Sequence, residues 1–281
     1  MKEGRKLKNV DPLNAITSYI MPERTGASNQ FIYSLDITET EKFIRKKRSE
    51  GKKGFGLMHI MLAAYVRTSC LYPGINRFIR GQKIHAHNSI NMCLTIKKDF
   101  SLDGQETVVK IPASHLDTID DVYDTTVSLI DGNKDMQASN GTDSAAKILQ
   151  FIPGVLLKFV VWFLKLLDYF GLLPGFLVRL SPFHASMFIT NIGSLGIPPI
   201  YHHLYDFGTI PVFFSFGTKR TENYIDSEGN VCKRRVVDVT VVCDERICDG
   251  HYYASAFKQY KRLVENPDKL DFKPEKIVID N

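Results

Sequence analysis

Titratable groups crowd into one short stretch of this chain, Val239-Thr240-Val241-Val242-Cys243-Asp244-Glu245-Arg246-Ile247-Cys248-Asp249-Gly250-His251. The apolar run reads as a strand entering a tight turn, with Gly250 immediately ahead of a helix. Imidazoles, whose ordinary pKa of about 6.5 suits proton transfer, also stand at His59, His184, His202 and His203. For each of these alone, a packed or hydrogen-bonded structural role is the bland reading. Metal chemistry lacks its ligands, because His85-x-His87 and His202-His203 have no Cys or carboxylate at ligand spacing. Neither Gly-x-Gly-x-x-Gly nor a phosphate-loop motif occurs, which argues against nucleotide chemistry of those types. The five cysteines (Cys70, Cys93, Cys232, Cys243 and Cys248) form no Cys-x-x-Cys. They read as reduced thiols of a cytoplasmic protein. The basic start has no apolar stretch behind it, unlike a signal peptide.

The elements that must position these groups follow from patterning. With 281 residues, 44% hydrophobic and 24% charged, the chain is of ordinary globular composition, which excludes disordered and fibrous classes. The net charge of +5 is too modest to announce nucleic-acid binding. Residues 1–30 are polar and broken by Pro12, Pro22 and Gly26. Residues 31–37 read as a strand. A helix follows, with Thr38 and Glu41 in capping-box spacing and Gly51 closing it. Residues 57–71 are apolar at nearly every position, so that helix should lie inside the protein. Short strands are expected at 76–80, 83–85, 89–96 and 107–111, with a turn at Asp103-Gly104, and a helix over 119–131. A polar loop over 132–141 comes next. Strands are expected again at 185–192, 210–220 and 231–243, the last pair joined through Asp226-Ser227-Glu228-Gly229-Asn230 as a hairpin, before a final helix over 251–265. Strands and helices mixed without strict alternation predict an α+β fold, a mixed β-sheet packed against helices in two layers.

Two stretches stand out for composition. Residues 148–180 are almost wholly apolar, interrupted by Lys158, Lys165, Asp168 and Arg179. Pro153, Gly154, Gly171 and Pro174 divide them, so no run reaches the roughly 20 residues a membrane-spanning helix needs. Three readings remain open: packing within the domain or its oligomer, a lid over an apolar ligand, or shallow docking on a membrane surface. Between Lys42 and Lys53 seven basic residues face a single acid, Glu50. That run reads as a solvated helix face, with attraction to phosphate groups as the alternative. Without interleaved aromatics, it does not suggest nucleic acid.

Asp244, Arg246, Asp249 and Gly250 fit the Asp-His-Arg-x-x-Asp-Gly signature of dihydrolipoyl acyltransferase catalytic cores. Phe188-Ile189-Thr190-Asn191-Ile192-Gly193-Ser194-Leu195-Gly196 resembles those cores' Phe-Thr-Ile-Ser-(Ser/Asn)-Leu-Gly-x-x-Gly stretch. Residues 210–217, and the opening strand and helices at 31–37 and 54–79, match in order as well. The chain thus resembles the chloramphenicol acetyltransferase-like superfamily, closest to the catalytic core of the 2-oxo-acid dehydrogenase dihydrolipoyl acyltransferases. The resemblance implies an N-terminal arm at residues 1–30 and a catalytic domain at 31–281, with residues 145–181 as an unusually apolar helical insertion. It implies acyl transfer between coenzyme A and an acceptor, both entering a tunnel at the subunit interface of a homotrimer. Thr190 takes the position of the oxyanion-stabilising hydroxyl. Asp249 takes that of a structural aspartate held by an arginine, for which Arg24 is the nearest candidate unless the loop is held differently.

At the base position this chain departs from the signature, with Glu245 where the resemblance expects histidine. Thiol and glutamate pKa values ordinarily lie about 4 units apart, a mismatch near 6 kcal/mol, against about 2 units for histidine. Burial in an apolar tunnel would narrow that gap. Otherwise His202 or His203, in the loop after the Thr190 segment, replaces the base. About 30 residues precede the resemblance, too few for a lipoyl domain, so the acceptor is expected to be a separate molecule. The alternative is a catalytically silent binding or scaffold module (a pseudoenzyme) that keeps the Asp249-Gly250 turn for folding alone.

Overall fold

A computed structural model describes residues 3–97, 106–134 and 151–280. The Asp103-Gly104 turn, most of the 132–141 loop and the first residues of the apolar insertion lie outside them.

In chain order the strands are β1 (Gly4–Lys6), β2 (Ser28–Asp36), β3 (Arg77–Arg80), β4 (Lys83–His87), β5 (Ile90–Lys97), β6 (Glu106–Ala113), β7 (Met187–Asn191), β8 (Val212–Phe216), β9 (Arg220–Ile225) and β10 (Val231–Asp244). The helices are α1 (Pro12–Ile20), α2 (Thr38–Ser49), α3 (Leu57–Leu71), α4 (Ile119–Lys134), α5 (Gly154–Tyr169), α6 (Gly175–Leu180) and α7 (Gly250–Glu265). Among the described residues, seven strands form one sheet along the path β2-β10-β8-β7-β5-β6, with β9 paired to β10. The central pairs β5·β7 and β7·β8 are parallel and the others antiparallel. A three-stranded sheet, β1-β4-β3, stands apart. The α+β expectation is met.

Strand alternation sends every second side chain to one face. Ile189, Phe214, Val239 and Val241 point to the layer made by α3 and α7, where they meet Tyr65, Phe257 and Tyr260 in the main core. Phe188, Phe213 and Val242 point the other way and join Ala185, Leu204 and Ile210 in a smaller cluster. Among the described residues the second face is covered mainly by chain between β7 and β8, with α6 reaching it where Lys110 Nζ donates to the Val178 carbonyl. α3 is buried almost throughout, as its composition predicts.

Residues 3–30 are threaded into the domain. β1 pairs with β4, Leu7 packs with Ile84 and Ala86, and Asp11 caps α1 with Pro12 at its first position. Of the expected packing within the domain or its oligomer, the single chain shows no full burial of the apolar segment within the domain. α5 and α6 contain no buried residue, and Val155 is 88% exposed.

Candidate active site

β10 ends at Asp244, and the next six residues carry the chain into α7. The turn is held by a buried ionic knot. Both Asp244 carboxylate oxygens accept from Arg246, Nε to Oδ1 and Nη2 to Oδ2, each at 2.8 Å, and the Arg24 Nε lies 3.4 Å from Oδ2. Arg246 Nη1 also donates to the carbonyls of Met21 and Pro22, and Arg24 donates to those of Tyr205 and Gly208. The Tyr253 hydroxyl donates to the Asp244 carbonyl at 2.8 Å. Burial pulls Arg24 below its usual pKa; Asp244 opposes that shift and Arg246 adds to it.

This corrects one expectation. Arg24 pairs with Asp244, not Asp249. Asp249 is exposed and caps α7, its Oδ1 accepting from the Tyr252 backbone N–H at 2.7 Å. The physical reason is that Asp244 ends the strand facing inward, whereas Asp249 has already reached the outer edge of the turn.

Glu245 is exposed at the tip. Its backbone N–H donates to the Ala27 carbonyl at 2.9 Å, and its carboxylate makes no ion pair among the described residues.

Thr190 occupies the penultimate position of β7 and is half-buried. Sheet register puts it opposite Ser215, and Ser215 opposite Thr240, so three hydroxyls form a row on the face away from α3 and α7. Thr240 Oγ1 donates to the Ile200 carbonyl at 2.6 Å, and Ser215 Oγ is buried without a hydrogen-bond partner. Ser215 escapes sequence reasoning because Val212-Phe213-Phe214-Ser215-Phe216 reads simply as an apolar strand; only the register reveals its neighbour. Beyond Thr190 the chain passes hard against the next loop. A Cβ on Gly193 would stand 2.2 Å from the Gly217 carbonyl oxygen, so glycine is required there.

The register also separates Thr190 from Glu245. Two inter-strand steps of about 4.8 Å and five residues of about 3.3 Å put their Cα atoms roughly 19 Å apart within the subunit. One chain does not bring the two together.

His202 lies on the Thr190 face. Its ring stacks on Phe213 at 4.1 Å and 14°, and Phe213 stacks on Phe188 at 4.8 Å and 13°. Thr190 is the next residue after Phe188 on that face of β7, one side-chain repeat of about 6.6 Å along. Burial, helped by the neighbouring His203, lowers the His202 pKa, and its Nε2 is buried with no hydrogen-bond partner among the described residues. His203 is exposed and meets Tyr205 edge-on at 5.8 Å. His251 is exposed on α7. His184 and His59 have structural partners: Ser181 and Asp168 for the first, the Gly56 N–H and Phe55 for the second. Among the described residues, no group of three or more His, Cys, Asp or Glu side chains could hold a metal.

Residues 184–271 match the family model for the 2-oxoacid dehydrogenases acyltransferase catalytic domain. No curated protein sequence matches the chain. Among solved structures, a probable dihydrolipoamide acetyltransferase from Listeria monocytogenes is similar at a TM-score of 0.60 and 14% identity, covering 93% of this chain and 96% of that one. The dihydrolipoamide acetyltransferase of Azotobacter vinelandii aligns at 0.60 and 12%, covering 94% of each chain. A chloramphenicol acetyltransferase aligns at 0.55 and 13%, covering 93% of this chain and 99% of that one. At these identities the likeness is one of fold, and it extends over nearly the whole chain.

Proposed function

We propose that this chain, which has the fold of chloramphenicol acetyltransferase and of dihydrolipoamide acetyltransferase cores, transfers an acyl group between coenzyme A and a thiol, hydroxyl or amine acceptor. It would work as a cytoplasmic homotrimer. The observation that carries the reading is the juxtaposition on one sheet face of the Thr190–Ser215 hydroxyl row and a histidine whose Nε2 has no hydrogen-bond partner among the described residues.

In this reading His202 is the base. Its depressed pKa keeps it neutral near pH 7, as a proton acceptor must be, and its ordinary value lies nearer a thiol than a glutamate's does. Nε2 takes the proton from the acceptor, whose sulfur, oxygen or nitrogen attacks the thioester carbonyl. The carbonyl oxygen becomes an oxyanion and accepts a hydrogen bond from Thr190, with Ser215 beside it. Collapse breaks the carbon–sulfur bond, and the departing coenzyme A thiolate recovers the proton from His202. Glu245 stays in water on its own subunit; it enters the site only by reaching across a trimer interface.

The test is coenzyme A release from a panel of acyl-CoA donors with thiol, hydroxyl and amine acceptors. Turnover that falls at least about a hundredfold in Thr190→Ala supports the reading. Equal release by wild type and Thr190→Ala across the panel overturns it.

One observation favours the silent-module alternative. The Asp244–Arg246–Arg24 knot holds the turn without help from position 245, so the turn survives loss of a base there. That reading expects coenzyme A binding without release.

A further inference from the structure

The apolar segment leaves large hydrophobic side chains exposed to solvent as well as half-buried ones against the domain. Along α5, Leu157, Val160, Leu164 and Leu167 are half-buried toward the domain, while Val155, Phe159, Trp162 and Leu166 are exposed in one stripe facing away from it. Trp162 is 55% exposed, with Phe159 packed beside it at 5.7 Å. A soluble surface helix carries polar residues on its outer face instead.

This face is held in place. At the end of α5 the Asp168 carboxylate pairs with Arg80 at 3.1 Å and lies 3.3 Å from His184 Nε2, and the Tyr169 hydroxyl donates to Gln82 Oε1 at 3.0 Å. α1 leans on the same turn, Ser18 Oγ donating to the Gln82 carbonyl at 2.7 Å. α1 adds its own exposed stripe of Leu13, Ile16 and Ile20.

Charge decides what covers the patch. The remaining charged side chains on the described hairpin, Lys158, Lys165 and Arg179, are basic and exposed, and none pairs with a carboxylate among the described residues. The hairpin's one acid, Asp168, is engaged with Arg80 and His184. Two copies docked through this face would set these cations against one another with no free hairpin carboxylate between them. An anionic surface complements them. On the helical wheel Lys158 and Lys165 fall on one flank of the apolar stripe, where their stems can run up past it to a headgroup layer. Tryptophan, here Trp162 on the stripe, is a side chain that favours such a boundary. α5 is about 24 Å long, and among the described residues no helix is long and apolar enough to cross a membrane.

We propose that the α5–α6 hairpin, with α1 beside it, docks the protein on the surface of an anionic phospholipid bilayer. α5 lies in the plane of the interface, Trp162 toward the acyl chains and Lys158 and Lys165 among the phosphates.

Trp162 is the chain's only tryptophan, so its fluorescence reads this face directly in the unmodified protein. The expected result is water-exposed emission in buffer, a blue shift on adding phosphatidylglycerol–phosphatidylcholine vesicles, and quenching by brominated acyl chains. Phosphatidylcholine alone should give a much smaller response. Lys158→Gln/Lys165→Gln, both exposed changes, should weaken partitioning about thirtyfold, and added salt should weaken it in the wild type. Emission already blue in buffer and unmoved by vesicles means a second copy covers the face, and overturns the proposal. So does equal binding to both vesicle types, or a blue shift without quenching by brominated chains. None of these readouts involves acyl transfer, so failure here leaves the catalytic reading standing, and the reverse.

Discussion

Replacing Asp244 with Asn removes one negative charge from between two arginines that are 5% and 3% exposed. The side chain keeps its shape, and its Oδ1 can still accept from Arg246 Nε, but the second 2.8 Å charge-assisted bond and the attraction to Arg24 go. Leaving buried charge uncompensated costs about 3–5 kcal/mol. Asp249→Ala removes a single cap bond on an exposed side chain, which costs about 1 kcal/mol. The two substitutions therefore separate by about 2–4 kcal/mol, a large share of a folding stability of about 5–15 kcal/mol. Urea denaturation followed by circular dichroism measures both. With a slope near 3 kcal/mol per molar, Asp244→Asn should lower the midpoint by about 1 M or more, and Asp249→Ala by a few tenths. An Asp249→Ala loss equal to or larger than that of Asp244→Asn would refute the view that the turn hangs on Asp244.

Other consequences follow from the same geometry. Gly193→Ala forces backbone apart at Gly217 and should cost about 1–3 kcal/mol, with loss of any activity that depends on Thr190; a variant with wild-type stability would show that the close approach is not required. Burial pushes the His59 and His87 pKa values down to about 4, from an ordinary 6.5. The unfolded chain therefore takes up these protons first as pH falls. Their contribution is intact above about pH 6.5 and erodes toward pH 4. Urea midpoints should drop across that window, and His87→Gln should shallow the slope by up to one proton; an unchanged slope would count against a buried neutral His87.

The fold was legible because burial repeats along the chain. The near-continuous apolarity of residues 57–71 marked an inner helix, and the Asp226–Asn230 turn a hairpin, although the strand entering that turn is β9 (Arg220–Ile225) and the expected 210–220 strand shortens to β8 (Val212–Phe216). The Thr190 stretch was legible only through its resemblance to the acyltransferase segment, and of its glycines Gly193 makes the close pass at Gly217. Ion-pair partners were less accessible. Asp244 and Asp249 are both acids of the motif turn, and which one meets Arg24 depends on where β10 ends relative to Ser28, a fact of register rather than of composition. Ser215 became visible for the same reason, as the cross-strand neighbour of Thr190. The apolar segment left three readings open because hydrophobicity reports only that a surface avoids water, not whether the same chain covers it.

The account turns most directly on which side chain takes the acceptor's proton. Comparing single-turnover acyl transfer in His202→Gln and Glu245→Gln, with folding checked by circular dichroism, decides it. A loss of about a hundredfold or more in His202→Gln with Glu245→Gln near wild type is the predicted result. Full activity in His202→Gln alongside a dead Glu245→Gln would contradict it, placing the base on the turn and the working site across a subunit interface.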